Sequence, residues 1–177
     1  MKRTIPLITL SILLAACTPS QGQQAAQGGN GYPARVVLPT QPLAAEQPPR
    51  QPENAKWQSA GERAIGFGAP LGTMLLTIAC ERDAAGAGWL RITRRTRAPS
   101  GARALFALEG AKHVARLPVN VIRAGEDGEW QGLVLARAAK LDVLSDGTAI
   151  EATLPGGGTL MLPADPEPGR LLQACRS

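Results

Sequence analysis

Residues 148–163 read TAIEATLPGGGTLMLP, and this stretch decides the fold class. Two short runs of alternating apolar and polar residues, TAIEATL and TLMLP, flank Pro155, Gly156, Gly157 and Gly158, which is the pattern of two antiparallel strands joined by a tight turn. Upstream lie more pieces of strand length. MLLTIACE (Met74 to Glu81) is a short apolar run with Cys80 near its end, and in WLRITRRTR Leu90 and Ile92 alternate with Arg91. ALFALEG, HVARLPVNVIR and WQGLVLAR continue the series, with Ala-Gly-Ala-Gly, Pro99-Ser100-Gly101, Glu109-Gly110 and Glu126-Asp127-Gly128 as turns. Ala138 to Leu144 fits a short helical turn and a strand equally. Downstream, Asp165 followed by Pro166 reads as an N-cap with proline at the first helical position, opening a short helix that runs to Cys175. The expected fold is mostly β: a small antiparallel sheet or barrel-like domain with a short C-terminal helix, over residues 57–177, without internal repeats.

Ahead of this domain, residues 17–56 are rich in Gln, Pro, Gly and Ala, as in SQGQQAAQGGNG, with no sustained hydrophobic period. They are expected to form a disordered tether, with an r.m.s. reach of roughly 35 Å for about 40 residues. Val36, Val37 and Leu38 are an apolar interruption in it. Residues 1–16 carry Lys2 and Arg3 and then an apolar run from Ile5 to Ala16, the pattern of a secretory signal too short to remain as a membrane span. Leu14, Ala15, Ala16 and Cys17 resemble the lipobox of bacterial lipoproteins, in which the signal is cut before the cysteine and the thiol and new amino group are acylated. The resemblance implies that Cys17 is the lipidated first residue and that the membrane is a partner through this anchor. Two or three acyl chains would hold firmly, since each buried methylene contributes about 0.8 kcal/mol. Thr18 is not the Asp associated with inner-membrane retention, so the resemblance implies an outer-membrane lipoprotein whose domain faces the periplasm, with the cell surface as the other option. A secretory signal with a chance cysteine is the competing reading.

The chain has 19 Lys and Arg against 14 Asp and Glu, a net charge of +5, which falls to +3 when Lys2 and Arg3 leave with the signal. That excess is too small to indicate nucleic-acid binding, and export argues against it too. With Cys17 lipidated, Cys80 and Cys175 are an even pair in an oxidising compartment, which predicts a disulfide. Closing so long a loop restricts the unfolded chain by roughly 4–5 kcal/mol in the chain-entropy account. A redox or metal-binding pair would show C-x-x-C spacing and histidines close by, and neither is present.

His113 is the single histidine, which leaves little from which to build a triad or a zinc centre. In KHVARL it reads as an exposed or half-buried strand residue. Glu126, Asp127 and Glu129 sit around a glycine turn and read as solvating it. No catalytic residue, metal ligand or cofactor is assigned. Arg91, Arg94, Arg95, Arg97 and Arg103 crowd into thirteen residues. On a strand Arg91, Arg95 and Arg97 would face one way and Arg94 the other, so Arg91, Arg95, Arg97 and Arg103 are the candidate ligand-binding residues. Guanidinium groups pair bidentately with phosphate and carboxylate, which suits lipopolysaccharide, peptidoglycan or an acidic envelope protein. The bland alternative is a solvated outer face that discourages edge pairing. Trp57, Trp89 and Trp130 read first as core residues.

FGAP, LTIAC, TRRTRAPSGARAL, SDGTAIEATLPGGGTLMLP and the ending GRLLQAC are similar to a group of small uncharacterised alphaproteobacterial lipoproteins. That resemblance covers most of the domain; it implies the fold and the paired cysteines and carries no activity. A weaker one is to membrane-anchored inhibitors of c-type lysozyme: Ser100-Gly101-Ala102-Arg103 resembles part of their S-G-x-x-Y motif, with Ala104 where the tyrosine would stand. A net positive domain also suits cationic lysozyme poorly. The resulting expectation is a non-enzymatic, lipid-anchored binding or structural module contacting an envelope component, with lysozyme inhibition and carboxylate-dependent cell-wall chemistry as alternatives.

Overall fold

The computed structural model describes residues 51–177, so Cys17, the signal segment and nearly all of the tether lie outside the described residues. Among the described residues nine strands form one sheet: β1 (Lys56–Gly61), β2 (Ala64–Gly68), β3 (Met74–Arg82), β4 (Gly88–Arg95), β5 (Arg103–Glu109), β6 (Val114–Arg123), β7 (Glu129–Leu135), β8 (Ile150–Leu154) and β9 (Gly158–Leu162). Their spatial order is β1-β2-β3-β4-β7-β6-β5-β8-β9, and every neighbouring pair is antiparallel. The sheet curls into a nearly closed barrel. A 3-10 turn (Ala139–Ser145) and helix α1 (Glu167–Arg176) complete the domain.

Alternation along the strands builds the interior. Leu76, Ile78, Leu90, Ile92, Phe106, Leu108, Leu117, Val119, Leu154 and Leu160 all point inward and are buried. Because neighbours alternate in direction, loops 69–73, 96–102, 124–128 and 155–157 share one end of the barrel. At the other end α1 packs on the 3-10 turn and on β3 and β4. Cys80 of β3 and Cys175 of α1 are disulfide-bonded there, 95 residues apart with a Cα–Cα separation of 5.6 Å. The Asp165 carboxylate accepts the Glu167 N–H at 2.8 Å, but Pro166 rather than Asp165 is the N-cap, so α1 starts one residue later than the sequence reading placed it. At the far end of α1, Arg176 donates to the Ala136 carbonyl at 2.9 Å and to Asp142 at 2.7 Å.

Three features depart from the sequence reading or refine it. The domain has two strands ahead of Met74, β1 and β2, where Gly61, Gly66 and Gly68 obscure the pattern. Gly66 lies under the Met74 side chain and Gly68 against the Thr73 carbonyl, so these glycines mark close approach rather than a loop. Trp57 and Phe67 pair across β1 and β2 with ring centroids 5.5 Å apart. The ambiguous 138–144 segment is helical, with Leu141, Val143 and Leu144 buried. Pro118 sits inside β6, where a proline is unusual. The Val121 N–H donates to Ala102 on the β5 side, so alternation turns the Pro118 nitrogen toward β7, and the β6–β7 pairing begins only at Asn120.

Arg94 shows what the other face of the Arg-rich strand is for. It faces the barrel interior, 1% exposed, and its guanidinium donates to the carbonyls of Leu75 at 3.0 Å, Arg95 at 2.7 Å and Gly157 at 3.1 Å. These bonds tie β3 and β4 to the β8–β9 turn. No carboxylate among the described residues meets it, and burial lowers its pKa to about 10, still far enough above neutral for it to remain charged.

Candidate functional site

The fold sets a carboxylate beside three of the four candidate ligand-binding arginines. Arg91 and Arg95 do share the outer face of β4, but Arg91 donates to Glu81 of β3 at 2.7 Å, and Arg95 lies directly across from Glu129 of β7 and bonds it at 2.9 Å. Arg123 shares the same Glu129 oxygen at 2.9 Å. Arg97 lies past the end of β4, 3.2 Å from Glu126, with its own carbonyl accepting Trp130 Nε1. Exposed pairs of this kind add little to stability, but they neutralise the charge a ligand would meet. Arg103 is different. It is exposed on β5 opposite Asn120, and its side chain has no hydrogen bond or ion pair among the described residues.

The outer face of β5, β6 and β7 holds the more distinctive surface. Leu105 of β5 pairs with Pro118 of β6, and past the Asn120–Gln131 pair, where the β6–β7 ladder ends, the Pro118 carbonyl lies against Gly132, next to Leu133 of β7. Leu105 and Leu133 are each 52% exposed, so this is an apolar row lying open to solvent. On one side the next pair along the strands is Arg103–Asn120; on the other it is Ala107–Arg116. Arg116 is exposed and, like Arg103, its side chain has no partner among the described residues. Two unpaired cations therefore bracket the row, each about 7 Å away at the two-residue repeat of a strand. Sequence reading missed Arg116, Leu105, Pro118 and Leu133, although HVARLPVNVIR carries a signal: its outward positions include Val114, Pro118 and Ile122 where polar residues would be expected.

The remaining candidates are spread over the domain. His113 precedes β6 and its Nδ1 lies 2.6 Å from Asp146, whose other oxygen accepts the N–H groups of Lys112 at 3.2 Å and His113 at 3.1 Å. Burial alone would raise the Asp146 pKa, but these hydrogen bonds and the His113 ring outweigh it and hold the carboxyl below its usual range. The pair ties the β5–β6 turn to the segment after the 3-10 turn. Trp57 and Trp130 are buried, whereas Trp89 is half-buried and donates to Asp83 at 3.1 Å. Ser100 is exposed on the β4–β5 loop, between Arg97 and Arg103 in the sequence. A groove of about 480 Å³ between the β1–β2 hairpin and α1 brings together Glu62 and Glu167. Glu167 is held by Arg170 at 2.5 Å and both carboxylates belong to exposed residues, which is not the desolvated setting of a general acid. Among the described residues, no group of three His, Cys, Asp or Glu could hold a metal ion.

No protein family, curated protein or solved structure matches this chain. Its functional reading rests on its own residues.

Proposed function

We propose that the protein is a lipid-anchored outer-membrane lipoprotein, held through Cys17, whose barrel domain works by binding an envelope component rather than by catalysis. The observation that carries the binding reading is the open row Leu105, Pro118 and Leu133 bracketed by Arg103 and Arg116. Isolated exposed leucines are ordinary; an apolar row across three strands with a free guanidinium on either side is a surface for a ligand that is both anionic and partly apolar. Lipopolysaccharide, peptidoglycan with its acidic stems, and an acidic protein surface all have that character. The anchor and the envelope setting rest on the LAAC signature and the apolar segment before it.

The test is cross-linking in intact cells followed by affinity purification and mass spectrometry, with an Arg103→Glu, Arg116→Glu variant alongside. One species recovered with the native chain and lost with the variant supports the reading. Equal recovery from both defeats it. A separate experiment addresses the anchor: labelled fatty acid should be incorporated into the native chain and not into Cys17→Ser.

A further inference from the structure

A sheet that does not quite close leaves two edges, and this one treats them differently. On β9 the Gln51 side chain behaves as one unit of an added strand, its amide donating to the Met161 carbonyl at 3.0 Å and accepting the Met161 N–H at 2.8 Å. Among the described residues the edge of β1 has no such cover. Among them β1 pairs only with β2, so along Lys56 to Ser59 alternate backbone N–H and C=O groups have no described strand beside them. Beside β1 lies the groove of about 480 Å³ shared with α1. Trp57, Ile65, Leu171 and Ala174 give it an apolar lining. Glu62 stands at its hairpin end, and its carboxylate has no partner among the described residues, whereas Glu167 is already neutralised by Arg170.

We propose that this groove is a peptide-binding site, in which an extended segment of a partner protein adds to the free edge of β1, lays an apolar side chain between Trp57 and Leu171, and brings a basic residue to Glu62. Each part of the site selects one property of the ligand. The unpaired backbone groups repeat at the spacing of an extended peptide. Side chains of an added strand alternate in direction, so one in two can enter the groove while the others face solvent. The lone carboxylate of Glu62 supplies the charge complementarity that favours a cation at that end. The bulge in β1 between Ser59 and Gly61 limits pairing to about four residues, so the ligand is short. These residues are distinct from Arg103, Arg116 and the row between them, so either reading can fail without the other.

Randomised heptapeptides displayed on phage and selected against the full chain test the proposal. The expected yield is a family with apolar residues at alternate positions and a Lys or Arg next to one of them. A synthetic member should lose at least tenfold in affinity for Glu62→Lys, which lies on an exposed turn. It should lose as much for Ala174→Phe, which fills the groove from an exposed helix position. N-methylation of the alternate amides that face β1 should abolish binding, while N-methylation of the amides between them should not; this contrast changes only the peptide and is independent of how the variants fold. No enrichment over an unrelated domain, or binding indifferent to all three changes, overturns the proposal.

Discussion

The backbone of Gly88 lies so close to the carbonyl of Cys175 that a β-carbon on residue 88 would overlap the oxygen. This contact packs the start of β4 against the end of α1 beside the disulfide, and Gly88 also accepts the Ala136 N–H at 2.9 Å. Neither backbone is free to move aside. Gly88→Ala should therefore destabilise the domain by about 1–3 kcal/mol through overpacking. Urea unfolding at neutral pH measures it, and a change within about 0.5 kcal/mol would mean that α1 shifts readily.

Breaking the disulfide should cost more. Cys80→Ser with Cys175→Ser releases a 95-residue loop, and the expected loss is roughly 4–5 kcal/mol, reduced by whatever structure the unfolded chain keeps. Thermal unfolding with and without a thiol reductant reads it out. A native protein whose Tm ignores reductant, while free thiols are shown to appear, would contradict this account of how α1 is held.

Arg94 closes the opposite end of the barrel by geometry more than by charge. Arg94→Ala leaves a cavity and strips donors from the carbonyls of Leu75, Arg95 and Gly157, with an expected loss of about 3–5 kcal/mol. Arg94→Met fills the volume and removes a buried charge with no carboxylate to pair it, so its loss should stay under about 2 kcal/mol. Denaturant midpoints for the two variants decide the matter. A methionine variant as unstable as the alanine one would show that the hydrogen bonds dominate.

Asp146 gives the domain a dependence on acid. Its carboxyl is held below the ordinary value near 3.8, so in the folded state it binds its proton less readily than in the unfolded chain. The stability it supplies is present above the unfolded value and is lost as pH falls through the folded one. Asp146→Asn should therefore flatten the stability profile below about pH 4 and lower stability at neutral pH. Hydrogen exchange at Lys112 and His113, whose amides the carboxylate accepts, should quicken in that variant. An unchanged profile would place the acid sensitivity elsewhere.

The parts of the fold that could be read in the chain were those where alternation is local. TAIEATL and TLMLP became β8 and β9, WLRITRRTR became β4, and HVARLPVNVIR became β6, because period-two patterning needs no knowledge of neighbours. The first two strands escaped because Gly66 and Gly68 break the pattern for the sake of close approach to Met74 and Thr73. The site was harder for a different reason. Whether an arginine is free depends on which carboxylate lies across from it, and Glu129 meets Arg95 only because β7, rather than β5, is the neighbour of β4. The β5–β6 pairing was within reach, since counting back from the 110–113 turn sets Glu109 against Val114, and from there Leu105 against Pro118 and Ala107 against Arg116.

The most direct measurement of the binding claim is a photo-reactive benzophenone residue placed at Leu133 of the full chain in living cells, with one at Glu151, exposed on β8, as the control. The account predicts an irradiation-dependent adduct at position 133, absent from position 151 and lost when Arg103 and Arg116 are both changed to Glu. Equal labelling at the two positions, or an adduct that survives the charge reversal, would contradict it.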